Sequence, residues 1–191
     1  MSTTFPSRAR IILIACGVVL LALPLAAQDV SGGDPHRLTA PTSKTCELRV
    51  ERKDPLDPSE SCWSLACQGK RTTKIGCGVT ALSEVGEISV SPDRKWLAVV
   101  SVGEGHPMLE VVDLLRFTEV HVYEPLTTVN PYPGTINLAG WETHTLLVSS
   151  EMPLDLLPLA KGEVESAMLE EPLVYRIAVP GWKITASPAR H

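Results

Sequence analysis

Apolar positions along the chain come in short blocks separated by turn-forming residues, and the pattern is clearest between residues 88 and 113. Residues 88–90 (ISV) are β-prone. Ser91-Pro92-Asp93-Arg94-Lys95 predicts a turn, because proline presets φ and aspartate bonds its own backbone two residues on. Residues 96–101 (WLAVVS) are apolar on both faces, which predicts a strand buried between layers. A glycine-rich loop over 102–107 and a second strand over 108–113 (MLEVVD) complete an antiparallel meander. Residues 116–123 (RFTEVHVY) alternate, with Phe117, Glu119, His121 and Tyr123 facing one way, and predict the outer strand of this unit.

Asn130-Pro131-Tyr132-Pro133-Gly134 then breaks structure and marks a boundary. Beyond it the pattern recurs loosely. A short strand over 136–138 precedes a turn over 140–144, and residues 145–150 (TLLVSS) align with 96–101 at an offset of about 49 positions. Residues 173–179 (LVYRIAV) resemble 108–113, and 182–185 predict an edge strand. A short helix is expected over 162–171. Upstream, 48–52 (LRVER) alternates as a half-exposed strand does. Residues 65–67 and 72–77 flank Gly69-Lys70 and predict a hairpin. The loop between, with Asp54, Asp57 and Glu60, lacks the ligand spacing and turn glycine of a calcium-binding EF-hand and reads as solvated.

Composition sharpens this picture. Sixteen prolines disfavour long helices and favour short strands with turns. The net charge of -5, with no Lys/Arg run, gives no electrostatic footprint for a nucleic acid, and none is expected as a partner.

Arg8 and Arg10 precede an unbroken apolar run over 11–23, and Pro24-Leu25-Ala26-Ala27 leads into polar Gln28-Asp29. This is the order of a secretory signal peptide, helical in its apolar part, with cleavage expected after Ala27. Leu13-Ile14-Ala15-Cys16 has the form of a lipoprotein cleavage box, but the apolar run continues past the cysteine. The alternative is an uncleaved membrane anchor over 11–27. Residues 28–45 read as a flexible leader containing an isolated His36, and 187–191 as a tail.

Cys46, Cys62, Cys67 and Cys77 follow the export signal, and an even number in an exported chain predicts two disulfides. Cys62 and Cys67 are an odd number apart, so on one strand they face opposite ways and need different partners. Three connectivities exist, of which Cys46–Cys62 with Cys67–Cys77 is preferred, the second closing the predicted hairpin. Trp63, beside Cys62, is expected to pack near a disulfide. A metal site is not expected, since no histidine falls between the cysteines.

The segment SPDRKWLAVVS followed by LEVVDL resembles one blade of a TolB-like, WD-type β-propeller, in which a Ser-Pro-Asp-Gly-Lys-type turn precedes a buried strand. Arg94 stands where that family usually has glycine, which argues against a positive φ. Blades run about 40–45 residues and closed propellers typically have at least about four. Two units are visible in this chain, so a closed ring is not expected. The fold class is all-β: antiparallel blade-like meander sheets, either an incomplete propeller or two packed sheets. The single domain spans 46–186, divided into a cysteine-rich part (46–86), a first blade-like unit (87–124) and a second (135–186). The cysteine-rich part is a source for a third sheet, and copies of the chain are an alternative means of covering open sheet faces.

No nucleophile elbow, zinc-protease helix or phosphate loop occurs. No catalytic residue and no cofactor is therefore assigned. His106, His121 and His144 sit on separate elements, and their convergence in space would support a hydrolase-like alternative. Trp141 and His144, beside a glycine, form the candidate binding surface. The resemblance implies an interaction role, with another extracytoplasmic protein or a polysaccharide as partner. A membrane-anchored structural protein is the third reading.

Overall fold

A computed structural model describes residues 37–54, 57–154 and 169–187. The signal peptide, His36, the tail beyond 187 and most of the helix expected over 162–171 lie outside the described residues; residues 169–171 are not helical.

Three four-stranded antiparallel meanders follow one another. The first holds β1 (Arg37–Pro41), β2 (Cys46–Asp54), β3 (Asp57–Cys67) and β4 (Thr73–Cys77). The second holds β5 (Glu84–Val90), β6 (Trp96–Gly103), β7 (His106–Asp113) and β8 (Pro125–Val129). The third holds β9 (Ile136–Glu142), β10 (Thr145–Ser150), β11 (Leu173–Ala178) and β12 (Ile184–Ala186). Each sheet contributes its first strand to a common line, with β1 beside β5 and β5 beside β9. The cysteine-rich part thus supplies a sheet of its own, the first in chain order.

The middle sheet is buried on both faces. Leu97 and Val99 of β6 point into one apolar cluster with Leu48, Val50, Trp63 and Phe117. Ala98 and Val100, the alternate positions, point into another with Leu146, Val148, Tyr175 and Ile177. The continuous apolar run of this strand is what such a position requires. Polar ties run between sheets at the same places: the Val85 amide donates to Ser61 Oγ (3.2 Å), Arg52 pairs with Glu84, and the Leu138 amide donates to Glu87 (2.8 Å). The far face of the first sheet is polar, with ion pairs Arg37–Glu51 and Arg49–Glu47. It resembles the capping end of a repeat stack.

The turn before β6 is held by side chains. Ser91 Oγ donates to Asp93 Oδ1 (2.7 Å) and accepts from the Trp96 amide (3.0 Å). Contrary to the expectation, Arg94 does adopt a left-handed φ, of 59°. The serine and aspartate bonds hold the turn tightly enough to impose that strain on an arginine. Thr143, at the repeat offset, has φ 52° in the equivalent turn between β9 and β10.

Three further expectations are corrected. Residues 37–41 are a strand and not a leader: Leu38 and Ala40 face inward while the backbone pairs with β2 from Arg37↔Glu51 to Pro41↔Glu47. Pro41 sits at the strand end, where a missing donor costs little. Residues 116–123 do not form the outer strand. Asp113 Oδ1 accepts the Arg116 amide (2.8 Å), and Arg116–Val120 coil into a single π-turn. Phe117 (0% exposed) thereby packs edge-on against Trp63 at 5.2 Å and against Tyr123 at 5.3 Å. The outer strand is β8.

The third correction is the disulfide connectivity, which is Cys46–Cys67 and Cys62–Cys77. β3 is long, and Cys67 ends it at the turn, opposite Cys46 of β2. β4 begins only at Thr73, so its Cys77 comes level with Cys62. The parity argument holds: Cys67 shares the face of Trp63 and Leu65, and Cys62 lies on the other, so one cross-link sits on each face of the sheet.

Peptide mass mapping without reduction should recover these two pairs. Double replacement of either pair by alanine should lower the urea midpoint by the equivalent of about 2–4 kcal/mol. Recovery of a Cys67–Cys77 peptide would overturn the register of β3 against β2 and β4.

Candidate functional site

The two ends of β6 carry different chemistry. At its Trp96 end, the turn of the second sheet meets the turn of the third. Asp93 accepts from Ser91 and from the Lys95 amide (3.3 Å), while its second oxygen lies 3.1 Å from His144 Nδ1. Burial alone would raise the Asp93 carboxyl. The hydrogen bonds from Ser91 and Lys95, with the positive charges of His144 and Lys95, outweigh burial and hold it below its ordinary range. The His144 carbonyl in turn accepts the Val179 amide (2.9 Å), which anchors the next segment to the same place.

Three tryptophans surround this junction. Trp96, Trp141 and Trp182 are partly buried against the cluster between the second and third sheets, and Trp96 and Trp182 meet edge-on at 6.2 Å. Trp141 Nε1 is shielded from solvent and has no hydrogen-bond partner. Trp141 and His144 lie at one end of the third sheet, Trp141 packed against the core cluster and His144 exposed. Asp93, Trp96 and Trp182 join them there, and nothing in their sequence positions relates Trp182 to the turn at Asp93.

At the other end of β6 the hairpin into β7 borders a cleft of about 510 Å³. Glu104 and Gly105 take φ of 51° and 81° in the hairpin. His106 meets Tyr132 edge-on at 4.4 Å. The facing wall, residues 80–83, is fixed from inside. Thr80 Oγ1 donates to the Leu82 carbonyl (2.7 Å), and the Ala81 amide donates to Glu110 Oε2 (3.1 Å).

Glu110 is 1% exposed and is the least expected of these residues. The same oxygen also accepts from Tyr123 (3.0 Å) and Ser101 (3.4 Å). Burial, then the charge of Glu110 and its hydrogen bond, push the Tyr123 phenol far above its ordinary value. Glu110 thus gathers three donors from three segments, the arrangement a buried carboxylate needs.

The three histidines are not brought together. His106 is at the hairpin end of the second sheet, His144 at the turn end of the third, and His121 is exposed with φ 60° after the π-turn. Among the described residues no group of three His, Cys, Asp or Glu is placed to hold a metal.

Two measurements follow from this geometry. Asp93 has a depressed carboxyl, so its stabilising contribution is present above the ordinary value of 3.8 and is lost as pH falls through its folded value. The difference in melting temperature between the wild type and Asp93→Asn should accordingly be largest above about pH 5 and close below pH 3.8. A difference that persists unchanged into acid would contradict the assignment. Glu110→Leu removes the oxygen shared by three donors and should cost about 1–3 kcal/mol in urea unfolding; an unchanged midpoint would remove Glu110 from the network.

No protein-family model and no curated protein matches the sequence. Among solved structures, an uncharacterised protein of Listeria monocytogenes EGD-e is similar in fold, with a TM-score of 0.55 and 10% identity, over 81% of this chain and 40% of that one. TolB from Acinetobacter baumannii gives a TM-score of 0.48 and 14% identity over 78% of this chain and 31% of its own. The β-propeller domain of the Trilobed protease from Pyrococcus furiosus gives 0.47 and 10% identity over 81% and 43%. The chain therefore spans less than half of each of these proteins, and the likeness concerns fold alone.

Proposed function

We propose that the protein is an exported binding module whose partner is another extracytoplasmic protein or a glycan. The observation that carries this reading is the cluster of Trp96, Trp141 and Trp182 around the Asp93–His144 contact. Amphipathic aromatic side chains held half-exposed on a rigid frame are the usual anchors of protein interfaces, because they supply contact area at low conformational cost. In this chain the frame is two sheet ends fastened by the Asp93–His144 contact, with the backbone of Val179 tied to His144. The two disulfides fit an oxidising compartment outside the cytoplasm. Among the described residues no helix is long and apolar enough to cross a membrane.

The reading is tested by affinity capture from extracytoplasmic extract, and by a glycan array, using the oxidised protein beside a Trp182→Ala/His144→Ala variant of matched melting temperature. A discrete protein or glycan retained by the wild type and lost, at least about tenfold, by the variant is expected. Equal retention by both, or none by either, would refute it.

A further inference from the structure

The cleft beside the β6–β7 hairpin lies at the opposite end of the second sheet from the tryptophan cluster. We propose that it is a second contact site, which receives a basic side chain, arginine or lysine, presented by a partner polypeptide. The inference deepens the binding-module reading by naming the chemistry of the partner.

Its size is the first argument. About 510 Å³ lies within the range of about 300–1,000 Å³ that ligand clefts occupy. Its walls are the second. Leu82, Pro107 and Met108 are only partly buried and line the cleft together, while Tyr132 stands 57% exposed at its side. An arginine or lysine stem is an aliphatic chain that packs on such a surface while its charged head seeks a polar edge. That edge is Glu104, the one carboxylate among the lining residues, and no lysine or arginine lines the cleft to neutralise it. Tyr132 adds an aromatic ring, which attracts a cation through its electron-rich face. An anionic group would be repelled by Glu104, and a purely apolar one would gain nothing from it.

The site is also built in advance. Gly103 lets Leu82 lie close against the hairpin: a Cβ at position 103 would stand 3.3 Å from Leu82 Cβ and 3.3 Å from its Cδ2. The Ala81 amide is held by buried Glu110, and the Tyr132 amide donates to Asn130 Oδ1 (3.0 Å). That bond fixes the Asn130 side chain at the rim of the cleft. A wall pinned from the interior and a side chain fixed at the rim lower the ordering cost of binding.

The test is an amide-resolved NMR titration of the oxidised, ¹⁵N-labelled protein at low ionic strength. The probes are acetyl-Leu-Arg-Leu-amide and its neutral counterpart acetyl-Leu-Gln-Leu-amide, each also titrated into Glu104→Gln. Saturable shifts confined to residues 81–83, 103–108 and 130–132 are expected with the arginine peptide. Its affinity should fall at least about threefold in Glu104→Gln, as should that of the glutamine peptide in the wild type, the range a single exposed charge contact supplies. Absence of shifts, shifts mapping elsewhere, or equal affinity for the two peptides would overturn the proposal. Glu104 is exposed, so its replacement leaves the core intact. Partner capture through the tryptophan cluster does not depend on this titration. Capture without peptide binding would discard the cleft alone, whereas peptide binding without capture would discard the tryptophan surface.

Discussion

The structure depends on one strand having no solvent side. β6 places Leu97 and Val99 against the first sheet, and Ala98 and Val100 against the third. Every other element is arranged so that both of these faces stay dry. The first and third sheets each need only one apolar face, and their strands alternate accordingly: Leu48 and Val50 of β2, and Leu146 and Val148 of β10, point inward between polar or half-exposed neighbours. Replacing Leu97 of β6 by alanine would open a cavity between the first and second sheets, the class of change that costs about 2–5 kcal/mol in a packed core.

That dependence explains which parts of the fold were legible. A strand apolar on both faces leaves an unmistakable run, and WLAVVS places the layer correctly from sequence. So does the repeat offset, because Arg94 and Thr143 occupy equivalent left-handed positions in equivalent turns. β1 was not legible, since an edge strand draws its order from the backbone of its neighbour and needs only Leu38 and Ala40 as apolar content. Residues 116–123 misled for the opposite reason. Phe117 and Tyr123 do share a buried environment, but they reach Trp63 through a coiled turn and not along a pleat. Period-2 alternation over so short a segment does not distinguish the two.

The candidate sites divide in the same way. Trp141 and His144 are close in sequence and were readable as a pair. Asp93 was readable only as a turn former, and its contact with His144 exists because the packing of two sheets brings two turns together. Glu110 gave no signal, as one acidic residue in an apolar strand reads as a solvent-facing position. Its three donors come from segments that approach it only once the chain has folded. Buried polar groups of this kind are where sequence patterns carry the least information, since satisfaction depends on tertiary neighbours.

The placement of one cross-link on each face of the first sheet has a consequence for how the chain reaches this state. Side chains alternate along β3, so sliding it by one residue against its neighbours would reverse its faces and turn Trp63 toward water. The same slide would carry Cys67 out of line with Cys46, and Cys62 out of line with Cys77. Both native bridges can therefore close only when the strand is in its native alignment. Oxidation of the four thiols acts as a checkpoint on alignment: it seals the sheet that covers one side of β6, and a misthreaded chain is left with free thiols.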